Sequence, residues 1–493
     1  MGNNLSQYAR DRIYLCKSAG GTDLNLSSCN IKRIPKRILR FKKTLKKLNV
    51  GKNLIVEFYS QIEKFQLLET LIAESNELKD TCTQLSKLEH LTVLDVSNNM
   101  LTVIPNNLKS LITLNISYNS IQSFGNVTIS LPALQELFYS FNKVSIFPTE
   151  ILEIQTLKKL DISGNHLNYL PDEISNLAPC LEHLNIADNR FTSFPPPISS
   201  LGNLRTLNIA NNNLGTSLSN QFTTLSKLEI LDFSGCSLSS FDFDLSQLQN
   251  LTELYLARNS IPYLSPTTSI SIGELTQTLR ILDLSSGAFT ILPKQIGWCT
   301  NLRRLNISQN QLPKVPGELH LLNPSIDIII QPNPLEYPFC EWIKEGIPTF
   351  LKNLKPYMRA YGPNCTISDL EPTLKAMAPN QYTINSFDYS NNARVSGGDE
   401  FKVQMLLDGS NTGGASGSGE QPSSPDESNG GFPLGRANSM FFRSIECIVK
   451  DNKATKPGSY TVYFNSPQTG SYTISITSDN LPIKGSPFTV ELV

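Results

Sequence analysis

The first residues of the chain could carry a covalent lipid. The first six, MGNNLS, match the pattern for N-myristoylation, in which the free amine of Gly2 is acylated once Met1 has been removed, with a serine at position six. One myristoyl chain binds a membrane only marginally, so a second signal is usually required. We predict lipidation at Gly2, and the alternative is an ordinary N-terminus.

A basic segment near Gly2 could supply that second signal. It spans sixteen positions that contain no acidic residue. Its nine basic residues are Lys32, Arg33, Lys36, Arg37, Arg40, Lys42, Lys43, Lys46 and Lys47. Each basic side chain close to an anionic leaflet adds about 1 kcal/mol of attraction. We predict a membrane-electrostatic role for this segment, and the alternative is a solvated outer face.

Motifs for catalysis are missing from the sequence. It contains no G-x-x-x-x-G-K-[ST] phosphate loop, no G-x-S-x-G nucleophile elbow and no kinase signature set. The four histidines do not fall at metal-ligand spacing. The formal net charge of −1 argues against a chain that binds nucleic acid over its whole surface. We therefore predict a non-enzymatic protein with no cofactor or metal and no nucleic-acid partner.

Cysteine usage and hydropathy bear on the compartment. The nine cysteines are scattered and none forms a C-x-x-C pair, which favours reduced thiols in a cytosolic protein. No stretch approaches 18 consecutive apolar residues, and the N-terminus lacks an apolar secretory core. Together with Gly2 and the basic segment, this predicts a cytoplasmic protein that is peripheral on the inner face of the plasma membrane.

Leucines recur at regular spacing over most of the chain, and the fold that they specify must position the candidate functional residues. Residues 91–105 read L-x-x-L-x-V-x-x-N-x-L-x-x-I-P, and the template returns about every 23 residues. Its fourteen starts are Gly21, Leu45, Leu68, Leu91, Leu111, Leu134, Leu157, Leu181, Leu204, Leu228, Leu251, Leu279, Leu302 and Ser325. This period predicts an α/β leucine-rich-repeat solenoid with one short strand per repeat and degenerate terminal repeats. Such solenoids present an extended surface that binds other macromolecules.

The ninth position of the template is usually asparagine. A buried amide there must hydrogen-bond the backbone of neighbouring repeats, and Cys29 and Cys236 replace it in two repeats. Gly287 has no side chain to do so, so the asparagine ladder should be weakest in that repeat. The preceding repeat is the longest, and its insertion, Pro266–Gly273, predicts a local irregularity.

The repeat pattern stops after Asn333, and a chain of 493 residues exceeds one hydrophobic core. We divide it into an N-terminal lipid signal and capping helix at 1–20, the solenoid at 21–335, a cap and linker at 336–362, and a second domain at 363–493. Segments such as 382–387, 401–406, 444–449, 460–464, 472–476 and 488–492 alternate apolar and polar residues with period two. Six or seven short strands predict an all-β immunoglobulin-like sandwich. The Gly/Ser-rich residues 408–439 are expected to be a disordered insertion.

Three motifs connect the second domain to a known family. Gly458-Ser-Tyr460, Gly470-Ser-Tyr472 and Gly485-Ser-Pro-Phe488 resemble the closing half of a filamin repeat, and residues 397–403 resemble its third-strand segment. The resemblance implies a non-enzymatic domain in which a cytoskeletal or receptor-tail peptide adds along the third and fourth strands. Here these would be residues 400–407 and about 441–450. The insertion between them departs from the family and leaves open whether that groove is covered.

Exposed aromatic and basic side chains on the strand side of the repeats are the candidates for partner binding. Tyr118, Phe138 and Phe141 should form one aromatic patch, because aromatics dominate interface hot spots. The alternative for Phe138 and Phe141 is packing beneath a neighbouring loop. Tyr255, Arg258 and Arg304 form a second, looser group. The Asp or Asn in the middle of most repeats is expected to be structural.

The repeat half resembles the cytosolic leucine-rich-repeat proteins of the Ras-interacting group, whose 23-residue units end in Leu-Pro. The two resemblances together imply a non-catalytic, membrane-apposed adaptor. Its solenoid would bind a signalling protein, a small GTPase of the Ras class or its regulator, and its filamin-type domain would link to actin and affect cell shape or motility. The alternative is a Ras-pathway or phosphatase regulatory scaffold without a cytoskeletal link.

Overall fold

The computed structural model divides into two units, one formed by Met1–Val315 with Leu321–Leu351 and the other by Pro316–His320 with Lys352–Val493. The described residues are 6–80, 83–123, 130–215, 220–355, 365–368, 373–374, 380–386, 401–407, 444–445, 447–452, 459–464, 470–478, 481–484 and 486–493. Among these residues, no helix combines the length and the apolar character that crossing a bilayer demands.

The first unit is built on one parallel sheet whose strands follow chain order. Each strand has three residues, and the strands are β1 (Asp23–Asn25), β2 (Lys47–Asn49), β3 (Thr70–Ile72), β4 (Val93–Asp95), β5 (Thr113–Asn115), β6 (Glu136–Phe138), β7 (Lys159–Asp161), β8 (His183–Asn185), β9 (Thr206–Asn208), β10 (Ile230–Asp232), β11 (Glu253–Tyr255), β12 (Ile281–Asp283), β13 (Arg304–Asn306) and β14 (Asp327–Ile329). The predicted stack of fourteen repeat strands is confirmed.

The middle residue of each strand, leucine in thirteen strands and Ile328 in β14, fixes the register of the sheet. Leu94 pairs with Leu71 on one side and Leu114 on the other, and all three are fully buried. Their flanking residues point away from this core, since successive strand side chains alternate between faces. Burial of a leucine contributes about 1.5–3 kcal/mol, so a column of them specifies this alignment over any shifted one.

Short 3₁₀ helices return the chain from one strand to the next. They span Lys36–Phe41, Ser60–Lys64, Thr83–Lys87, Thr149–Glu153, Asp172–Leu177, Pro196–Ser200, Asn220–Thr224, Lys294–Trp298 and Gly317–Leu321. Several begin directly after a proline in extended conformation, such as Pro148 and Pro171. The residue before a helix needs no helical backbone angles, so Leu-Pro and Phe-Pro pairs mark the start of several return segments.

Two α-helices depart from this pattern. Helix α1 (Gln7–Ser18) precedes β1, and the Ser6 hydroxyl caps it by accepting a hydrogen bond from the Ala9 amide at 3.2 Å. The insertion predicted as an irregularity forms α2 (Pro266–Glu274), capped in the same way by Ser265. After β14 the chain continues through α3 (Phe339–Trp342), a 3₁₀ turn at Ile343–Glu345 and α4 (Ile347–Leu354).

Buried asparagines join successive repeats. The Asn212 amide donates to the carbonyl oxygens of Ile186, Ile209 and Ala210 at 2.8–3.2 Å, and its oxygen accepts from the Phe191 amide at 3.1 Å. Cys236 takes over part of this role in the next repeat, where its thiol donates to the Ile209 carbonyl at 3.3 Å. Gly287 offers no side chain, so the ladder is interrupted there, as predicted.

The second unit consists of two sheets, of four strands in the order β15-β17-β21-β20 and of six strands built on the order β16-β24-β22-β18-β19. The strands are β15 (Thr366–Ser368), β16 (Thr373–Leu374), β17 (Asn380–Asn385), β18 (Phe401–Leu407), β19 (Ser444–Ile445), β20 (Cys447–Asp451), β21 (Ser459–Phe464), β22 (Gly470–Ser478), β23 (Leu481–Pro482) and β24 (Phe488–Leu492). Tyr382, Met405, Val462 and Ile474 are buried in its core. The predicted all-β sandwich is confirmed.

The fourth-strand segment differs from the prediction of one strand over residues 441–450. Strand β19 pairs with β18 through Ser444 and Ile445, whereas β20 belongs to the opposite sheet and pairs with β21. The chain therefore changes sheets between Ile445 and Cys447. The predicted insertion, 408–439, lies outside the described residues.

Candidate functional site

The nine basic residues predicted to face a membrane are all exposed. They lie on the first two repeats, in and around the 3₁₀ helix Lys36–Phe41 and strand β2. Arg33 lies 3.8 Å from Glu57, and Lys46 lies 2.7 Å from Glu69. The hydrogen bond from Lys46 lowers the pKa of the Glu69 carboxyl. Two of the nine cations are thus paired with carboxylates, and the segment as a whole presents a positively charged surface.

Gly2, the predicted lipidation site, lies outside the described residues. Ser6, the other defining residue of the lipidation pattern, is the N-cap of α1. Its hydroxyl also lies 3.4 Å from the Cys29 carbonyl, to which it donates, and so connects the helix to the turn after β1. A structural role therefore explains the serine at position six as well as the lipidation pattern does.

Two of the three predicted aromatic residues form a stacked pair on the surface. The rings of Tyr118 and Phe141 are parallel within 10°, with centroids 4.4 Å apart. Tyr118 is 54% exposed and Phe141 is 43% exposed, so the stack faces solvent and packing beneath a loop does not describe Phe141. Rings held in this way offer a flat apolar surface at little entropic cost to a partner.

The third predicted aromatic residue does not join this stack. Phe138 ends strand β6 and is half-buried, and the Lys159 ammonium lies 4.8 Å from its ring centroid. This is a cation–π contact across neighbouring strands, because Glu136–Phe138 pairs directly with Lys159–Asp161. Phe138 therefore has a contact of its own outside the stacked pair, and its place in a common binding patch stays a prediction.

The stacked rings stand where the backbone is least favourable for aromatic residues. Tyr118 and Phe141 have φ angles of 55° and 51°, in the left-handed region. Thirteen of the fourteen repeats make this turn at the residue just before the ninth template position, and most of them fill it with Ser, Asn, Asp or Gly. Bulky residues there are genuine outliers and carry a conformational cost. This turn position can be found from the sequence, because it is the residue directly before the ninth template position, which is usually asparagine.

The second predicted group does not form one cluster. The Tyr255 hydroxyl donates to Glu253 at 2.7 Å, and burial raises the pKa of Tyr255. Arg304 lies 3.6 Å from Asp327, and it is separated from Tyr255 by the intervening strand β12. Arg258 occupies the same left-handed turn position as Phe141, with φ 56°. The three side chains therefore differ in their surroundings: Tyr255 and Arg304 have different acidic partners, and Arg258 lies at a left-handed turn.

The acidic and amide residues that end the strands have structural partners. The Asp95 carboxylate accepts from the amide of Ser97 at 2.9 Å and from its hydroxyl at 2.6 Å, and Asp161 and Asp283 repeat this arrangement with Ser163 and Ser285. These contacts support the structural role expected for this column. Within the described ranges, no group of three or more His, Cys, Asp or Glu side chains could hold a metal ion.

The comparisons with known proteins agree with this architecture. A family model for a leucine-rich repeat region matches residues 143–317, and one for a single leucine-rich repeat matches residues 90–111. The solved leucine-rich-repeat protein LIC12759 of Leptospira interrogans is 30% identical, with a TM-score of 0.60, over 66% of this chain and 82% of that one. The chain belongs to the leucine-rich-repeat proteins.

Two further solved structures are similar to this leucine-rich-repeat protein. A TDR receptor is 25% identical with a TM-score of 0.53, over 65% of this chain and 57% of the receptor. The Arabidopsis receptor kinase HAESA is 21% identical with a TM-score of 0.50, over 70% of this chain and 62% of that one. A model of the filamin/ABP280 repeat matches residues 357–489, so the protein carries a C-terminal filamin repeat. No curated protein matches the sequence.

Proposed function

We propose that this leucine-rich-repeat protein is a non-catalytic adaptor that binds a signalling protein on its solenoid and an extended peptide on its filamin repeat. Both repeat types are interaction modules, and the strand side of the solenoid is a long continuous surface. HAESA, which shares the fold, was solved in complex with the peptide hormone IDA and the co-receptor SERK1. That complex supports a polypeptide partner in general terms.

The exposed stack of Tyr118 and Phe141 is the observation that carries the proposal. Thirteen of the fourteen repeats make a left-handed turn at this position, and the turn does not require an aromatic ring. Two rings at costly positions, parallel and open to solvent, indicate selection for something other than stability. We place the contact with the signalling partner, a small GTPase of the Ras class or its regulator, at this stack.

Capture of a Ras-class GTPase by the full-length protein tests this assignment. The GTPase is loaded with GDP or with a non-hydrolysable GTP analogue, and its affinity is measured by interferometry. The double variant Tyr118→Asn with Phe141→Asn should weaken binding at least tenfold, because truncation of aromatic hot spots costs about 2 kcal/mol or more. Gln309→Asn at the same turn position is the matched control and should change affinity less than twofold.

The outcomes separate the partner from the site. Absence of binding in both nucleotide states would reject the GTPase as partner. Equal binding by the double variant and the control would move the contact away from the stack.

Membrane apposition is the second part of the proposal. It is supported by the lipidation pattern at Gly2 and by the exposed basic residues of the first two repeats. Helix α1 adds Tyr14 and Leu15, which are 71% and 62% exposed and offer apolar surface at the same end of the solenoid. Fractionation of a Gly2→Ala variant should show transfer from the membrane to the soluble fraction. Unchanged membrane association would reject the lipid.

The cytoskeletal part of the proposal concerns the edge of strand β18. Strand β19 pairs with β18 at Met405 and Leu406, and Phe401–Gln404 precede this pairing on the same strand. An extended peptide could add there through main-chain hydrogen bonds. Full-length protein should sediment with actin filaments, and amides of Phe401–Gln404 should gain protection from hydrogen exchange. Without either effect, the Ras-pathway or phosphatase scaffold becomes the better account.

A further inference from the structure

A cavity of about 780 Å³ lies at the ends of the 3₁₀ return segments of the first repeats. Four lysines line it: Lys42, Lys43, Lys64 and Lys87. They occupy equivalent places, since Lys42 and Lys43 directly follow one 3₁₀ helix and Lys64 and Lys87 end the next two. Successive repeats are offset by one strand spacing, roughly 4.8 Å, so the solenoid stacks these side chains on three neighbouring levels.

The charge of the cavity is strongly unbalanced. None of the four ammonium groups makes a hydrogen bond or ion pair with any residue that the structure describes. Glu63 is the one carboxylate among the lining residues, so the lining carries a formal charge of +3. Lys46 shows the contrast, because Glu69 neutralises it on the strand side at 2.7 Å. Like charges held together repel, and an anion that contacts several of them at once relieves this repulsion.

We propose that this cavity binds a small, multiply phosphorylated anion of the inositol-polyphosphate class, either free or as the headgroup of a phosphoinositide. Its volume lies within the range of small-molecule sites. Four of the seven lining residues are lysines and only Leu67 lacks a polar side-chain group, so the charge of the lining favours an anion. Lysines at three levels suit a rigid ligand that presents several phosphates, because each phosphate can take its own ammonium group.

The cavity shares only Lys42 and Lys43 with the basic segment of residues 32–47. Lys64 and Lys87 come from the following repeats, whereas Lys32, Arg33 and Lys36 do not line it. Adsorption to a charged surface depends on how many cations are lost and not on which ones. Binding in a defined cavity depends on which lysines are removed, and this difference provides the test. The site does not require a lipid on Gly2, so protein without the acyl chain is used throughout.

Binding of inositol hexakisphosphate to the full-length protein is measured by calorimetry at about 0.15 M salt, where long-range attraction is screened within ~8 Å. Lys64→Gln with Lys87→Gln should weaken binding at least tenfold. Lys32→Gln with Lys36→Gln removes the same charge outside the cavity and should change affinity less than twofold. All four lysines are exposed, so both double variants should retain the melting temperature of the parent protein.

Vesicles distinguish the two sources of the anion. Phosphatidylinositol 4,5-bisphosphate in neutral vesicles is compared with phosphatidylserine at equal total charge. Preference for the phosphoinositide, lost in the cavity variant, identifies a lipid headgroup; binding of the free anion alone identifies a soluble ligand. Equal losses in both double variants, or no binding of either probe by the parent protein, overturns the proposal without bearing on Gly2.

Discussion

The ring of Phe141 lies against the backbone of Gly164, the residue at the same turn position in the next repeat. A Cβ on Gly164 would lie 2.6 Å from Cδ1 of Phe141, too close for any real contact. Gly164 itself has a φ of 61°. Tyr118 therefore packs on one face of the Phe141 ring, and the Phe141 ring packs against the backbone of Gly164, where the missing side chain leaves space for it.

Gly164→Ala should destabilise the protein by about 1–2 kcal/mol from the left-handed backbone, with an added cost for displacing the Phe141 ring. In a Phe141→Asn background the added cost should disappear, so the two changes should couple by about 0.5 kcal/mol or more. Urea denaturation of the four proteins measures the coupling. Gly202→Ala, which meets no atom within 4 Å, is the control and should cost less than about 0.5 kcal/mol. Additive losses would contradict the contact.

The asparagine ladder makes a second prediction at two adjacent amides. Asn212→Ala removes three donated bonds and one accepted bond from buried backbone groups and should cost about 2–4 kcal/mol. Asn213→Ala changes an exposed side chain next to it and should cost less than about 0.5 kcal/mol. Chemical denaturation compares the two. Similar losses would mean that the ladder contributes little beyond the leucine core.

Cys236 gives the stability of the solenoid a dependence on alkaline pH. Burial raises the pKa of this thiol from its ordinary value near 9 to about 12. Between these values the unfolded chain loses the proton and the folded chain keeps it, so this contribution is fully present below pH 9 and declines as the pH rises toward 12. One such group contributes a slope of at most about 1.4 kcal/mol per pH unit.

Cys236→Asn should remove that slope and restore an amide to the ladder. The free energy of unfolding of the variant should fall less than that of the parent protein between pH 9 and pH 10.5, as measured by denaturation at each pH. Other groups titrate in both proteins, so the difference between them is the relevant quantity. Parallel curves would show that the thiol is not the source.

The repeat fold could be predicted from the sequence because its determinants are local and periodic. Leu94 and Leu114 pair across strands because each occupies the same position of the repeat template. The ninth template position likewise predicts that Asn212 joins the asparagine ladder and that Gly287 interrupts it. The filamin repeat was also predictable, since its Gly-x-Tyr strands and Pro487 turn form a recognisable pattern. The change of sheet after Ile445 was not, because the period-two pattern of residues 444–449 predicts one continuous strand.

The candidate sites were harder to predict, because they depend on how side chains from different repeats meet. Tyr118 and Phe141 are 23 positions apart, and only the structure shows that their rings stack. Lys64 and Lys87 lie in segments of mixed charge, and only the cavity groups them with Lys43. Sequence proximity predicted an anion-binding surface at the basic segment of residues 32–47. The solenoid instead brings together lysines that occupy equivalent positions in successive repeats.

Ser6 makes a prediction that separates its two roles. Ser6→Ala removes the cap of α1 and should cost about 0.5–2 kcal/mol, visible as faster hydrogen exchange at the Ala9 amide. Ser6→Asn retains a capping oxygen but lacks the hydroxyl of the lipidation pattern, so α1 should stay protected while the protein leaves the membrane fraction. Ser6→Thr keeps both features and is the matched control. If Ser6→Asn stays on the membrane, the serine serves the helix alone, and the pattern at Gly2 loses its support.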